Sequence, residues 1–81
     1  MKWFAYILKS KLDGRLYKGM AKDPEERLIG HTSGDTRATM GYWTWTLLHK
    51  EEFGSRIEAR KREEYFKSGS GREWIKENLD P

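Results

Sequence analysis

A chain of 81 residues, 36% hydrophobic and 36% charged, has room for one small core and one site, so a single domain over residues 1–81 is expected and a multi-domain organisation is excluded. With no cysteine and only two histidines, His31 and His49, disulfide frameworks and thiolate zinc sites are excluded, and any metal is expected to be a hard cation on carboxylate oxygen. No apolar run nears the roughly 18 residues of a membrane span, so a soluble, cytoplasmic protein with no membrane partner is expected, and the net charge of +3 suits a polyanion.

In chain order, Trp3 to Ser10 is rich in aromatic and branched residues and reads as a strand that ends before Lys11-Leu12-Asp13-Gly14. Asp-Gly is a strong hairpin signal, so a second strand is predicted over Arg15 to Gly19. A two-residue loop sets Ser10 opposite Tyr17 and puts Tyr6, Leu8 and Tyr17 on one sheet face. Asp23 then reads as a helix N-cap, with Pro24 at the first helical position and Glu26 completing a capping box. That helix is expected to run to about Thr32 and to stop at Ser33-Gly34, with Arg27 and His31, four apart, projecting from one side.

Residues 35–44 read as a polar loop. Trp45 to Phe53 reads as a third strand, with Trp45, Leu47, His49 and Phe53 expected on one face. Ser55-Arg56-Ile57-Glu58 is a second capping box opening a helix to about Lys67, and Gly69-Ser70-Gly71 is expected to separate it from a short helix over Arg72 to Asn78. Strand, strand, helix, strand, helix, helix describes an α+β fold, a small three-stranded antiparallel sheet flanked by helices. On the 55–67 helix the 3.6-residue period puts Ala59 and Phe66 on one line and Glu63 beside them. A carboxylate at the edge of an apolar face costs free energy unless it is paired or coordinated, so Glu63 needs either a salt bridge, for which Arg27 is a candidate, or a metal.

Charge is uneven along the chain. Residues 1–22 carry six bases, Lys18 and Lys22 among them, against Asp13 alone, and residues 55–72 add a second basic segment that includes Lys67. Folded onto one side, the two segments make a surface that attracts phosphate. Lys18, Lys22, Lys67 and Arg37 of the central loop are the candidate nucleic-acid contacts. His49 is assigned a structural place and Glu58 a capping one.

Two tyrosines on one sheet face, an arginine and a histidine one helical turn apart, and an inward glutamate form a group suited to phosphodiester cleavage. A divalent cation on the glutamate acts as Lewis acid, the arginine offsets charge developing on phosphorus, and a tyrosine or histidine takes the proton of the attacking water. In this the sequence resembles the GIY-YIG nucleases over nearly its whole length. The first motif falls on Phe4-Ala5-Tyr6 and the second on Tyr17-Lys18-Gly19. The helix arginine falls on Arg27, the polar residue one turn later on His31, and the metal-binding glutamate on Glu63 within Glu58-Ala59-Arg60-Lys61-Arg62-Glu63. Phe4-Ala5 stands where the family has Gly-Ile, and Lys18 where it has an apolar residue.

The resemblance implies an endonuclease that hydrolyses DNA phosphodiesters with Mg²⁺ or Mn²⁺, in repair or in processing of branched structures, with Tyr6, Tyr17, Arg27, His31 and Glu63 as the catalytic set. It resembles most the small free-standing bacterial members of the family. RNA is a second candidate substrate, and the sequence names no protein partner. The rival reading is a nucleic-acid-binding module of the same fold without useful turnover.

Overall fold

The structure, a computed structural model, describes residues 2–11, 13–26 and 45–79. Strand β1 (Trp3–Ser10) lies at the centre of a three-stranded antiparallel sheet, between β2 (Leu16–Ala21) and β3 (Trp45–Phe53). Two helices follow, α1 (Arg56–Lys67) and α2 (Gly69–Leu79). A central strand in a small sheet is covered on both faces, which is why Ala5, Tyr6, Ile7 and Leu8 are all buried without alternation. Across β1, Ala5 and Ile7 join Phe66 and Ile75 from the helices in one core, whereas Tyr6 and Leu8 join Ala21 and Trp45 in a second core on the opposite face.

The β1–β2 hairpin departs from the expected register. Leu8, not Ser10, lies opposite Tyr17, and Lys9 lies opposite Leu16. The connection closes where the Ser10 amide donates to the Arg15 carbonyl at 2.8 Å and the Gly14 amide donates to the Ser10 carbonyl at 3.0 Å. The Asp13 carboxylate accepts the Arg15 amide at 3.0 Å, and Gly14 takes a left-handed φ of 76°, so the connection is longer than the two-residue loop expected. The slip is two residues, an even number, and Tyr6, Leu8 and Tyr17 therefore still share a face.

A bulge changes the reading of β3. Ile7 pairs with His49 but Leu8 pairs with Leu47, which leaves Leu48 as an extra residue and reverses the alternation there. Trp45 and Leu47 consequently pack on the Tyr6 side, while Leu48 and Phe53 pack on the helix side. His49, also on the helix side, stacks against Phe66 and Trp74 with ring centroids 6.2 and 5.5 Å away and bonds Glu51 at 2.7 Å.

Helix α1 begins at the Ser55 cap: the Ser55 hydroxyl accepts the Glu58 amide at 3.3 Å, and Glu58 answers through its carboxylate by accepting that hydroxyl at 3.2 Å in place of the Ser55 amide of a full capping box. Arg62 lies over Phe66 and Trp74 at 4.8 and 4.7 Å from the ring centroids and donates twice to Glu51, tying α1 to β3. The expected Gly69–Gly71 separator is instead the first turn of α2, and Ser68 alone joins the helices. Its hydroxyl donates to the Tyr65 carbonyl at 2.6 Å and accepts the Gly71 amide at 3.1 Å, closing one helix and opening the next. Gly71 is required by packing, since a Cβ there would fall 1.8 Å from the Tyr65 carbonyl oxygen.

Candidate active site

The two tyrosines expected on one face do meet. Tyr6, 1% exposed, and Tyr17 have ring centroids 6.5 Å apart, tilted by 38°. Tyr6 pairs across the ladder with Gly19 and lays its ring over that residue's backbone: a Cβ at position 19 would stand 2.7 Å from the Tyr6 hydroxyl oxygen, 2.8 Å from its Cζ and 3.1 Å from Tyr17 Cε1. The missing side chain of Gly19 is the space the Tyr6 phenol occupies. Sheet alternation supplies both rings to one place, and the glycine lets the phenol end of Tyr6 reach the edge strand, where Tyr17 stands.

The same face carries a helical turn at residues 24–26. Asp23 caps it, its carboxylate accepting the Glu25 and Glu26 amides at 3.1 and 3.2 Å, and Pro24 is fully buried. Lys50, opposite Tyr6 on β3, reaches over the Phe4 ring at 5.3 Å from its centroid and bonds Glu25 at 2.6 Å. That bond is the main reason the Glu25 carboxyl lies below its ordinary range. The helical turn from which Arg27 follows in sequence is thereby pinned to the tyrosine side of the sheet. Arg27, His31 and Arg37 themselves lie outside the described residues.

Glu63 sits on the flank of α1, its side chain 19% exposed and 3.6 Å from Lys67, one turn further on. The half-buried placement expected from the helical period is observed, with Lys67 as its described ion-pair partner. Helix α1 packs on the Ala5–Ile7 face, so Glu63 approaches β1 and β2 from the side opposite the tyrosines. Among the described residues no group of three or more His, Asp or Glu could hold a metal. A single carboxylate still fits Mg²⁺ or Mn²⁺, because a Mg²⁺-type ion keeps several waters and takes its remaining ligands from substrate phosphate.

The model of the GIY-YIG catalytic domain matches residues 2–78. The chain belongs to the GIY-YIG family. It is a nuclease family, which makes nucleic acid the substrate class of the domain. The UPF0213 protein SSP2268 of Staphylococcus saprophyticus is 40% identical over 76 residues, covering 93% of this chain and 92% of that one. A UPF0213 protein of Halobacterium salinarum is 39% identical over 59 residues, covering 72% and 75%. The solution structure of the UPF0213 protein BH0048 from Bacillus halodurans superposes with a TM-score of 0.59 at 30% identity, covering 100% of this chain and 89% of that one. The α+β fold with its three-stranded antiparallel sheet is that of a small GIY-YIG domain.

In this GIY-YIG domain the second motif points two ways. Tyr17 and Gly19 face the tyrosine side, and Lys18, opposite Ile7, faces the helices. Lys22 stands 5.5 Å from the Trp3 ring centroid, which Arg56 also approaches at 5.8 Å, so one indole holds two cations. Arg72 and Lys76 of α2 line a cleft with Lys18; Arg72 belongs to the basic 55–72 segment read from the sequence, and Lys76 was not singled out there. Their spacing of four on one helix was the available signal, but nothing in it names the strand they would meet. No helix among the described residues is long and apolar enough to cross a membrane.

Proposed function

We propose that the chain is a divalent-metal-dependent endonuclease that hydrolyses phosphodiester bonds in DNA, acting in repair or on branched intermediates. The observation that carries this reading is the Tyr6 phenol lying across the side-chain-free Gly19 next to Tyr17, in a chain matched over residues 2–78 by a nuclease family. Strand β2 is an edge strand, so groups from both sides of the sheet reach a phosphate that lies along it.

Tyr6 and Tyr17 orient the attacking water, and one of the two takes its proton. A phenol with an ordinary pKa of about 10 needs cationic charge nearby to serve as a base at neutral pH. Arg27 supplies that charge and stabilises the negative charge that grows on the phosphate oxygens as the water oxygen bonds to phosphorus and the bond to the departing oxygen breaks. His31 hydrogen-bonds within the same group. Glu63 would hold Mg²⁺ or Mn²⁺, and the ion when bound would supply Lewis acidity at the phosphate.

The test is cleavage of end-labelled branched and duplex DNA at low salt in Mg²⁺ or Mn²⁺, with Glu63→Ala and Arg27→Ala beside the parent. The expected result is metal-dependent cutting by the parent, lost in Glu63→Ala and reduced by about 10²–10³ in Arg27→Ala. Equal cutting by parent and both variants would refute the assignment. Binding without cutting in any divalent metal would establish instead a nucleic-acid-binding module of this fold.

A further inference from the structure

The cleft beside Lys18 has a composition that the fold does not need. It has a volume of about 310 Å³ and is lined by Leu16, Lys18, Arg72, Ile75 and Lys76. Leu16 and the buried Ile75 give it an apolar floor, and three cations give it its rim. Among the described residues Lys18, Arg72 and Lys76 make no ion pair, whereas Lys67, close enough to act on Lys18, is engaged by Glu63 at 3.6 Å. Burial first, and then repulsion from Arg72 and Lys67, push the Lys18 ammonium below its ordinary pKa. Lys18 is half-buried over the apolar floor while Arg72 and Lys76 stand exposed at the rim, and an anion received between them would relieve the cost of the partly desolvated lysine charge.

We propose that this cleft, formed where β2 meets α2, grips a backbone phosphate of a nucleic-acid strand through Lys18, Arg72 and Lys76, on the opposite side of the edge strand from Tyr6 and Tyr17. This rests on the reading of the protein as acting on nucleic acid. Arginine offers phosphate a planar fork of donors and the two lysines offer point charges, while the apolar floor accepts the sugar that accompanies the phosphate. The volume is at the lower end of small-ligand sites, suited to one nucleotide unit and not to a folded partner. The cationic rim continues past the cleft to Lys67 on α1, which suits an extended polyanion better than an isolated ion. A strand anchored here and passing around β2, an edge strand of the sheet among the described residues, arrives at the tyrosine face.

The experiment uses the full chain, ¹⁵N-labelled, without divalent metal at low salt. It is titrated with a short duplex DNA and separately with inorganic phosphate, and the same is done for a Lys18→Ile/Lys76→Gln variant. The expected result is that DNA shifts the amide signals of Lys18, Arg72, Ile75 and Lys76 together with those near Tyr6 and Tyr17. The variant should lose the cleft shifts, keep those at the tyrosines, and show a log Kd against log salt slope smaller by about 1, for the one phosphate the cleft holds. Its urea midpoint, expected at or above the parent's because a desolvated charge is gone, establishes that it folds; Arg72→Gln serves as the second variant with the same predicted loss. Shifts at the tyrosines with the cleft amides unmoved would overturn the cleft and leave the nucleic-acid reading standing. No shifts anywhere would overturn both. Equal shifts with inorganic phosphate at equal concentration would make the cleft a free-anion site and overturn its assignment to a strand.

Discussion

Gly19→Ala isolates the contact on which the tyrosine pair depends. The added methyl would stand 2.7 and 2.8 Å from Oη and Cζ of Tyr6 and 3.1 Å from Tyr17 Cε1, distances at which something must move. Tyr6 is 1% exposed and wedged among Leu8, Ala21 and Trp45, so its ring cannot simply swing into water. Overpacking of this kind costs about 1–3 kcal/mol. Against that, alanine loses less backbone entropy than glycine on folding, which returns about 0.4–1 kcal/mol where the backbone is compatible, and the φ of Gly19 is not in the left-handed region. The net expectation is a destabilisation of about 1–2 kcal/mol, or a fall in Tm of roughly 4–16 °C for a domain of this size. Urea unfolding followed by tryptophan fluorescence measures it as a lower midpoint at unchanged slope. Gly54→Ala is the control, because a Cβ there meets nothing within 4 Å. If Gly19→Ala unfolds at the parent's midpoint, the Tyr6 ring does not occupy the space at Gly19, and the geometry of the candidate site fails with it.

Two further outcomes test the frame around the site. Ser68→Ala removes both hydroxyl bonds at the helix junction, to the Tyr65 carbonyl and from the Gly71 amide, and is expected to lower stability by about 1–2 kcal/mol in the same urea assay. At Glu51, burial is the largest single influence and raises the carboxyl pKa, but hydrogen bonds from Arg62 and His49 with their charges outweigh it and leave it lowered. A carboxyl lowered in the folded state stabilises the fold above the unfolded pKa of about 4.3 and loses that contribution as pH falls through the folded value. Glu51→Gln should therefore be less stable than the parent at pH 7, with the difference closing on acidification below about pH 4; Tm measured from pH 7 to 3 checks it, and a constant difference refutes it.

Much of this fold was legible because short-range rules decide it. The aromatic and branched run of β1 and the Ser55 capping box define elements whose bounds the structure repeats at Trp3–Ser10 and Arg56–Lys67. The failures lie where a side chain or a distant packing contact overrides the local pattern. Asp13-Gly14 marked the turn, but Asp13 bonds the Arg15 amide and lengthens the loop, a choice the dipeptide alone does not reveal. The consecutive Leu47 and Leu48 broke the alternation of β3, and only the pairing with β1 shows that Leu48 is the bulged residue. Two glycines near residue 70 read as a break because glycine disfavours helices; α2 nonetheless starts there, so close to the Tyr65 carbonyl that position 71 admits only glycine. The tyrosine pair was legible because parity survives an even slip, and Glu63 because the helical period alone sets its flank. Arg72 was legible only as one base of the 55–72 segment, and Lys76 not at all, since its meaning depends on Lys18, which the chain brings to it only through the fold.

The place of Lys18 has a simpler rival explanation, and the geometry distinguishes the two. Exposed edge strands invite pairing with other chains, and a lysine on such a strand blunts that tendency. A lysine serving only that purpose belongs in solvent, where its charge costs nothing and its pKa is ordinary. Lys18 is instead half-buried against the helices, lowered in pKa by burial and by two neighbouring cations, and set over Leu16 and Ile75. An edge guard gains nothing from being turned inward among like charges, whereas a phosphate contact gains from each of them. Across three consecutive residues, β2 thus presents Tyr17 to one face, Lys18 to the other, and at Gly19 leaves room for a phenol from the next strand. On the proposed reading, that alternation makes β2 the line along which a nucleic-acid backbone would meet Lys18 and the helices on one side and the tyrosine pair on the other.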